Sequence, residues 1–282
     1  MTSENSSITV FNKYITFGNP DSNPTLLLHA NAYTPYMYEE FISHLGLTHV
    51  IAPMHRPLWD PKVQQLKDWS VFMEDLIRFM DEHQLSHVNA IGHSLGAVAI
   101  LKASVLRPDL FNKIVLIDPV LLPEDKVRWV RYLPYKLKVR LRPIIKIASL
   151  RKNHWASRAD AHAHLSHKTV FKRLKSSVFD TYIEKGLIHD DEKGGFKLAF
   201  PREWEAMIYA SPENIWKFIF HSRADISIIK AEHSDVISHE TWSKLEKLPP
   251  NFKRIEMKGV AHLIPFEKPS ELAQLINDMQ LI

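Results

Sequence analysis

Gly92-His93-Ser94-Leu95-Gly96 sets a serine between two glycines, directly after the apolar run Val88 to Ile91 and ahead of the helical stretch Ala97 to Leu106. A strand that turns sharply into a helix forces the serine into a strained conformation, and the flanking glycines leave room for neighbouring backbone. The hydroxyl then stands above the carboxyl edge of a sheet, the setting that gives a G-x-S-x-G match its meaning. A serine hydroxyl is a weak nucleophile at neutral pH and needs a base to take its proton and later return it to a leaving group. Among 16 histidines, His262 stands out because Gly259-Val260-Ala261-His262 directly follows the last expected strand.

A carboxylate must fix the tautomer of such an imidazole and stabilise its charged form. Asp225, in His221-Ser222-Arg223-Ala224-Asp225, comes just past the expected strand Ile215 to Phe220, and the chain order Ser94, Asp225, His262 is the order that accompanies an elbow serine. Asp118 is the rival, at the end of the expected strand Lys113 to Ile117, but its neighbour Pro119 suits a structural turn. Asp225 is therefore the expected acid. An oxyanion needs two backbone N–H donors. Leu95, which opens the elbow helix, supplies one, and the loop His29-Ala30-Asn31-Ala32-Tyr33 supplies the other through Asn31 or, failing that, Ala30. His29 orders this loop.

These residues need a parallel sheet to position them. Thr25 to Leu28 and Val50 to Pro53 read as strands, Tyr38 to Leu45 and Trp69 to His83 as helices. Strand, helix and strand in alternation imply parallel neighbours joined by right-handed crossovers. The alternation breaks at Leu121. From there to Pro212 the chain is helical in character, interrupted by Pro123, Pro134, Pro143 and Pro201, and reads as an insertion. The α/β pattern resumes with Ile215 to Phe220, a helical stretch around Ser234 to Leu245, a strand at Phe252 to Met257 and a closing helix from Ser270 to Met279. The expected domains are 1–120 with 213–282 as the core and 121–212 as the insertion.

The 282 residues are 45% hydrophobic and 24% charged, which excludes disorder and provides for one large core. No cysteine is present, so disulfides, thiolate metal sites and a cysteine nucleophile are excluded, and a reducing cytoplasm is the expected compartment. Met1 to Ser7 show no secretory signal, and no apolar run reaches the roughly 18 residues of a spanning helix. The net charge of +4 conceals an asymmetry: Lys126 to Lys175 hold 15 Lys or Arg and one acid, Asp160, while the remainder holds 21 basic and 31 acidic residues. Without a recognition motif, and on an acidic body, this basic stretch does not indicate nucleic acid. Leu137, Leu141, Ile144, Ile145 and Ala148 recur at helical spacing between Lys136, Lys138, Arg140, Arg142 and Lys146. The pattern implies a cover whose apolar side faces the pocket, with weak contact of its basic side to anionic surfaces as the sharper reading. His162, His164 and His167 do not share one helix face and carry no metal assignment.

Elbow, histidine loop, late acid and helical insertion together resemble the α/β-hydrolase superfamily over nearly the whole chain. More narrowly, His29-Ala30-Asn31, Arg56-Pro57-Leu58-Trp59, Gly92 to Val98 and Ile117-Asp118-Pro119-Val120 resemble a group of bacterial α/β hydrolases. The resemblance implies a mostly parallel central sheet, a helical cap after the sixth strand, and no cofactor. Two departures bear on the oxyanion geometry: Ala30 stands where relatives usually have glycine, and Ala261 replaces a glycine common beside the final histidine. The expected function is cleavage of a small-molecule carboxylic ester or similar acyl bond through an acyl-enzyme. Carbon–carbon bond hydrolysis or acyl transfer on the same triad, and a catalytically silent ligand-binding protein, are the alternatives. The sequence does not fix the substrate or the oligomeric state.

Overall fold

The computed structural model describes residues 13–248 and 250–282. The amino-terminal segment read for a secretory signal lies outside the described residues. The chain runs through β1 (Tyr14–Gly18), β2 (Thr25–Leu28), α1 (Glu39–His44), β3 (His49–Pro53), α2 (Ser70–Glu82), β4 (Val88–His93), α3 (Leu95–Leu106) and β5 (Phe111–Ile117). Next come α4 (Glu124–Tyr132), α5 (Tyr135–Leu141), α6 (Pro143–Leu150), β6 (His154–Trp155), α7 (Arg158–Leu165), α8 (Thr169–Lys172), α9 (Ser176–Lys185), β7 (Leu187–His189), β8 (Phe196–Leu198) and α10 (Arg202–Ala210). The remainder is α11 (Trp216–His221), β9 (Asp225–His233), α12 (His239–Lys244), β10 (Phe252–Ala261), α13 (Ile264–Glu267) and α14 (Pro269–Asp278).

Seven strands form one sheet in the order β1-β3-β2-β4-β5-β9-β10. Only β1 runs antiparallel, against β3; the other pairings are parallel. Alternation along a strand sends successive side chains to opposite faces. Leu26 and Leu28 thus join the cluster built with Phe72, Leu76 and Met80 of α2 and with α3, whereas Leu27 joins Phe41 of α1 and Leu272 and Ile276 of α14. α3 is buried from Leu95 to Ser104, as befits a helix held between sheet and neighbouring helices. Its Lys102 pairs with the equally buried Glu213, which also accepts from the Trp69 N–H at 3.2 Å, tying the start of α2 to the chain where it re-enters the sheet.

Two expectations are corrected here. Ile215 to Phe220 is not a strand; Ile215, Trp216 and Ile219 are buried at helical spacing, and α11 spans most of the run. The sheet strand is β9, whose Ile226 to Lys230 are all buried. Lys230 interrupts the apolar run in the sequence, yet it is buried because its Nζ donates to the Ala231 carbonyl at 2.9 Å and to Glu256 at 3.1 Å. The second correction concerns the segment between β5 and β9, which is not wholly helical: β6, β8 and β7 form a small antiparallel sheet. That segment follows the fifth of the described sheet strands, not the sixth.

Candidate active site

At the end of β4 the chain turns directly into α3, and Ser94 takes φ 55° and ψ −111°. A non-glycine residue held there stores about 1–3 kcal/mol of strain. The flanking glycines are obligatory for steric reasons. A Cβ on Gly96 would lie 2.3 Å from the Leu28 carbonyl oxygen, and one on Gly92 2.6 Å from Ala97 Cα. Both obstacles are backbone and have little room to yield.

His262 immediately follows β10, and its Nε2 lies 2.9 Å from Ser94 Oγ. Its Nδ1 lies 2.7 Å from Oδ2 of Asp118, not from Asp225. Asp118 follows β5 at φ 39° and is fully buried. Its carboxylate also accepts from the Ala231 N–H at 2.9 Å and from the Ser234 hydroxyl at 2.8 Å. The expected acid is thereby corrected. Asp225 opens β9, opposite Lys113, and is exposed at the amino edge of the sheet. The eight residue steps to the end of that strand span about 26 Å at a rise of about 3.3 Å each. The carboxylate that does follow β9 is Asp235, an exposed side chain on the rim of the same cavity as Ser94 and His262.

Burial works against charge on the His262 imidazole. The hydrogen bond and the negative charge of Asp118 outweigh it, Asp235 and Glu267 add to them, and the imidazole is held above the ordinary histidine value. With Nδ1–H donated to Asp118, Nε2 is free to receive a proton from Ser94.

The oxyanion loop is braced by two hydrogen-bonded chains. His55 N–H donates to His29 Nε2 at 2.9 Å, so His29 Nδ1–H donates to the Ala30 carbonyl at 2.9 Å. His55 Nε2–H in turn donates to the His29 carbonyl at 2.8 Å. The ordering role expected of His29 is visible in these contacts. The second chain starts from Ala30 N–H, which donates to Tyr38 Oη at 2.8 Å. That hydroxyl donates to His93 Nδ1 at 2.8 Å, and His93 Nε2–H donates to the His262 carbonyl at 2.9 Å. Ala30 N–H is thus occupied, while Asn31 and Leu95 line the same cavity as Ser94. Burial first of all holds His29 well below the ordinary histidine value, and takes His55 down to about 4 and His93 to about 3. All three are neutral around pH 7, as the acceptor roles of His29 and His93 require.

Ser94, His262, Ala30, Asn31 and Leu95 line one cavity of ≈ 270 Å³. Its remaining wall includes Tyr33, Val120, Leu122 and, from the segment between β5 and β9, Arg142, Ile144, Val170, Ile208 and Tyr209. Sequence reasoning missed Val170, Ile208, Tyr209 and Asp235, since nothing in their spacing marks them. The Asn31 side chain is buried in this cavity beside the Tyr209 hydroxyl. A wider hollow of ≈ 680 Å³ adjoins it through Ile144, Val170 and Tyr209. Among the described residues, no group of three metal-capable side chains converges, and His162 instead faces Asp180 at 3.9 Å and Phe179.

Residues 24–269 match the profile of the family described as the alpha/beta hydrolase fold. Among curated proteins, ethanol acetyltransferase 1 of Hanseniaspora uvarum is 27% identical over 226 residues, covering 75% of this chain and 64% of that relative. The chain therefore spans less than two thirds of that relative's length. Among solved structures, E-2-(acetamidomethylene)succinate hydrolase gives a TM-score of 0.75 at 17% identity, covering 94% of this chain and 93% of its own. Peroxisomal alpha-beta-hydrolase Lpx1 of Saccharomyces cerevisiae also gives 0.75 at 17% identity, covering 95% of this chain and 80% of its own. These curated relatives are fungal, and the likeness establishes the family rather than any narrower group within it.

Proposed function

The chain belongs to the α/β hydrolase fold family, and from that premise we propose that it is a serine hydrolase cleaving a small carboxylic ester or similar acyl bond. The observation that carries the reading is the run Ser94 Oγ, His262 Nε2, His262 Nδ1, Asp118 Oδ2, with separations of 2.9 and 2.7 Å at its two hydrogen bonds. Ser94 attacks the acyl carbon while His262 takes its proton. The Leu95 and Asn31 N–H groups receive the oxyanion, and His262 returns the proton to the leaving alcohol. Water, deprotonated by the same imidazole, then releases the acid. Residues 121–212 act as a cap over this chemistry, since seven of their residues, from Leu122 to Pro212, wall the cavity. A volume near 270 Å³ lies at the low end for ligand sites and favours a short acyl group. No helix among the described residues is long and apolar enough to cross a membrane, and the cysteine-free chain suits a reducing cytoplasm.

Acyl transfer to an alcohol is the second reading, supported by the ethanol acetyltransferase relative. The two readings share the acyl-enzyme and differ in what attacks it. A fluorophosphonate probe should label Ser94 in the wild type and leave Ser94→Ala unlabelled, and p-nitrophenyl esters of increasing acyl length should fall in kcat/KM beyond short chains. Adding ethanol divides the acyl-enzyme between acid and ethyl ester, and their ratio assigns the preferred acceptor. No label on Ser94, or ester turnover surviving in Ser94→Ala, refutes the proposal.

A further inference from the structure

A helix on the surface of a soluble protein needs one apolar face, turned toward the core. α6 has two. Ile145 and Ala148 pack inward against Ala206 and Ala210 of α10, while Ile144, Ile147 and Leu150 are exposed to 40, 68 and 68%. α5 buries none of its residues, and Leu137 and Leu141, one turn apart, are both exposed. In the preceding helix α4, Trp129 and Tyr132 are exposed to 60 and 82%. The sequence suggested that the apolar stripe of this region faces the pocket. The structure turns much of it to solvent, concentrating large apolar side chains where a monomer ordinarily exposes few.

Beyond Glu124 and Asp125 in the first turn of α4, the charge on the same stretch is of one sign. Residues 128–152 hold nine Lys or Arg and no acid. Arg131 and Arg151 are paired with Asp68 and Glu205, whereas exposed Arg128, Lys136, Arg140, Lys146 and Lys152 form no ion pair among the described residues. The wider hollow opens within this surface, lined by Ile144, Ile147, Leu150 and Val170 together with Lys146, Lys152 and Lys168. It shares Ile144, Val170 and Tyr209 with the wall of the Ser94 cavity.

We propose that the outer face of α4, α5 and α6 docks on anionic lipid bilayers, with the mouth of the Ser94 cavity turned toward the membrane. Apolar side chains interleaved with long cationic ones suit an interface in which the former enter the acyl boundary and the latter reach the headgroups. Exposed tryptophan and tyrosine belong at that depth. A second copy of the chain is a poor occupant, because α5 and α6 carry only positive charge, and two such surfaces repel each other. Delivery of an acyl substrate from the bilayer to Ser94 rests on the function proposed above; the docking does not.

Co-sedimentation of the wild-type protein with vesicles of phosphatidylcholine, with and without about 30 mol% phosphatidylglycerol, tests the docking without reference to turnover. Retention is expected on the anionic vesicles alone at about 0.01 M salt, and should fade near 0.15 M, where the Debye length contracts from about 30 to about 8 Å. Lys136→Gln with Arg140→Gln should weaken partitioning about 25-fold, at about fivefold per cation. Leu137→Ser with Leu141→Ser should weaken it about tenfold. Because these four side chains line no cavity, both pairs should retain wild-type hydrolysis of a soluble ester, which also shows that they fold. Equal retention on neutral and anionic vesicles overturns the proposal. So does a loss on charge removal with none on leucine removal, which is the mark of an acidic soluble partner. A dimer in sedimentation velocity that the leucine substitutions dissociate would assign the face to self-association instead.

Discussion

Asp118→Asn tests the site most directly, because the contacts of Asp118 dictate how the replacement amide must lie. Oδ1 accepts from the Ala231 N–H at 2.9 Å, and Oδ2 faces both the Ser234 hydroxyl and His262 Nδ1. The backbone donor cannot turn away, so the amide oxygen stays on Ala231 and the new NH₂ group replaces Oδ2. The Ser234 hydroxyl can rotate to accept from it. His262 must then present Nδ1 as an acceptor, which places the proton on Nε2, the nitrogen 2.9 Å from Ser94 Oγ. A protonated Nε2 cannot take the serine proton. The expected loss is about 10⁴ in kcat, equivalent to about 5.5 kcal/mol of transition-state stabilisation. Steady-state hydrolysis of a short p-nitrophenyl ester, with circular dichroism to confirm folding, measures it. Asp225→Asn is the matched control and should stay within about twofold of wild type, as is usual for a surface change far from the chemistry. A folded Asp118→Asn retaining more than about a hundredth of wild-type kcat, or a large loss in Asp225→Asn, refutes the assignment.

Three other outcomes follow from the same contacts. His262 serves as a base only when neutral, and Asp118 holds its proton affinity above the ordinary value, so kcat/KM should rise with pH through a midpoint above about 6.5. A pH–rate profile whose acid limb lies below that value would contradict the pairing. Buried neutral His55 and His93 titrate at about 4 and about 3 in the folded state. The unfolded chain therefore binds more protons below pH 6.5 or so, and stability falls with decreasing pH by up to about 1.4 kcal/mol per unit for each histidine until about pH 4. Urea midpoints across that range measure the slope, and His55→Gln should flatten it. Glu213→Ala leaves Lys102, 3% exposed, without its carboxylate and should cost about 3–5 kcal/mol in urea unfolding. A loss under about 1 kcal/mol would show the pair to be dispensable.

The placement of Ser94 and His262 was legible because type and punctuation coincide: the sharp turn at Ser94 needs its flanking glycines, and His262 directly follows a strand. The acid was not, because two aspartates follow apolar runs and one of those runs was misread. Ile215 to Phe220 offers the aromatic and β-branched residues of a strand, but tertiary packing buries it as a helix. The sheet position went instead to β9, in which Lys230 is buried through three oxygen partners that a one-dimensional pattern does not reveal. Asp118 was ranked second because its proline suggested a structural turn, and a turn is what it forms, at positive φ with the side chain fully buried. The outward stripe of α5 and α6 was invisible for a related reason. Helical spacing reports that Leu137, Leu141 and Ile144 share a face, not what that face meets.

His93, which the sequence pattern treats as the variable place in the elbow, connects the two halves of the site. Its Nδ1 accepts from Tyr38, whose oxygen accepts in turn from the Ala30 N–H, and its Nε2–H holds the carbonyl of His262. Every hydrogen bond in this chain runs in one direction, from the oxyanion loop through the elbow strand to the histidine loop. The direction is possible only for one neutral tautomer of His93, and burial keeps it neutral. The chain also removes the Ala30 N–H from competition for the oxyanion, in keeping with the Asn31 donor proposed above. The alanine at position 30, a departure from the glycine usual in relatives, therefore leaves the donor set intact, because that residue's amide is already committed to structure. On the mechanism proposed above, the one imidazole beside Ser94 thus commits the Ala30 amide to structure and holds the His262 loop, without contacting the reacting atoms.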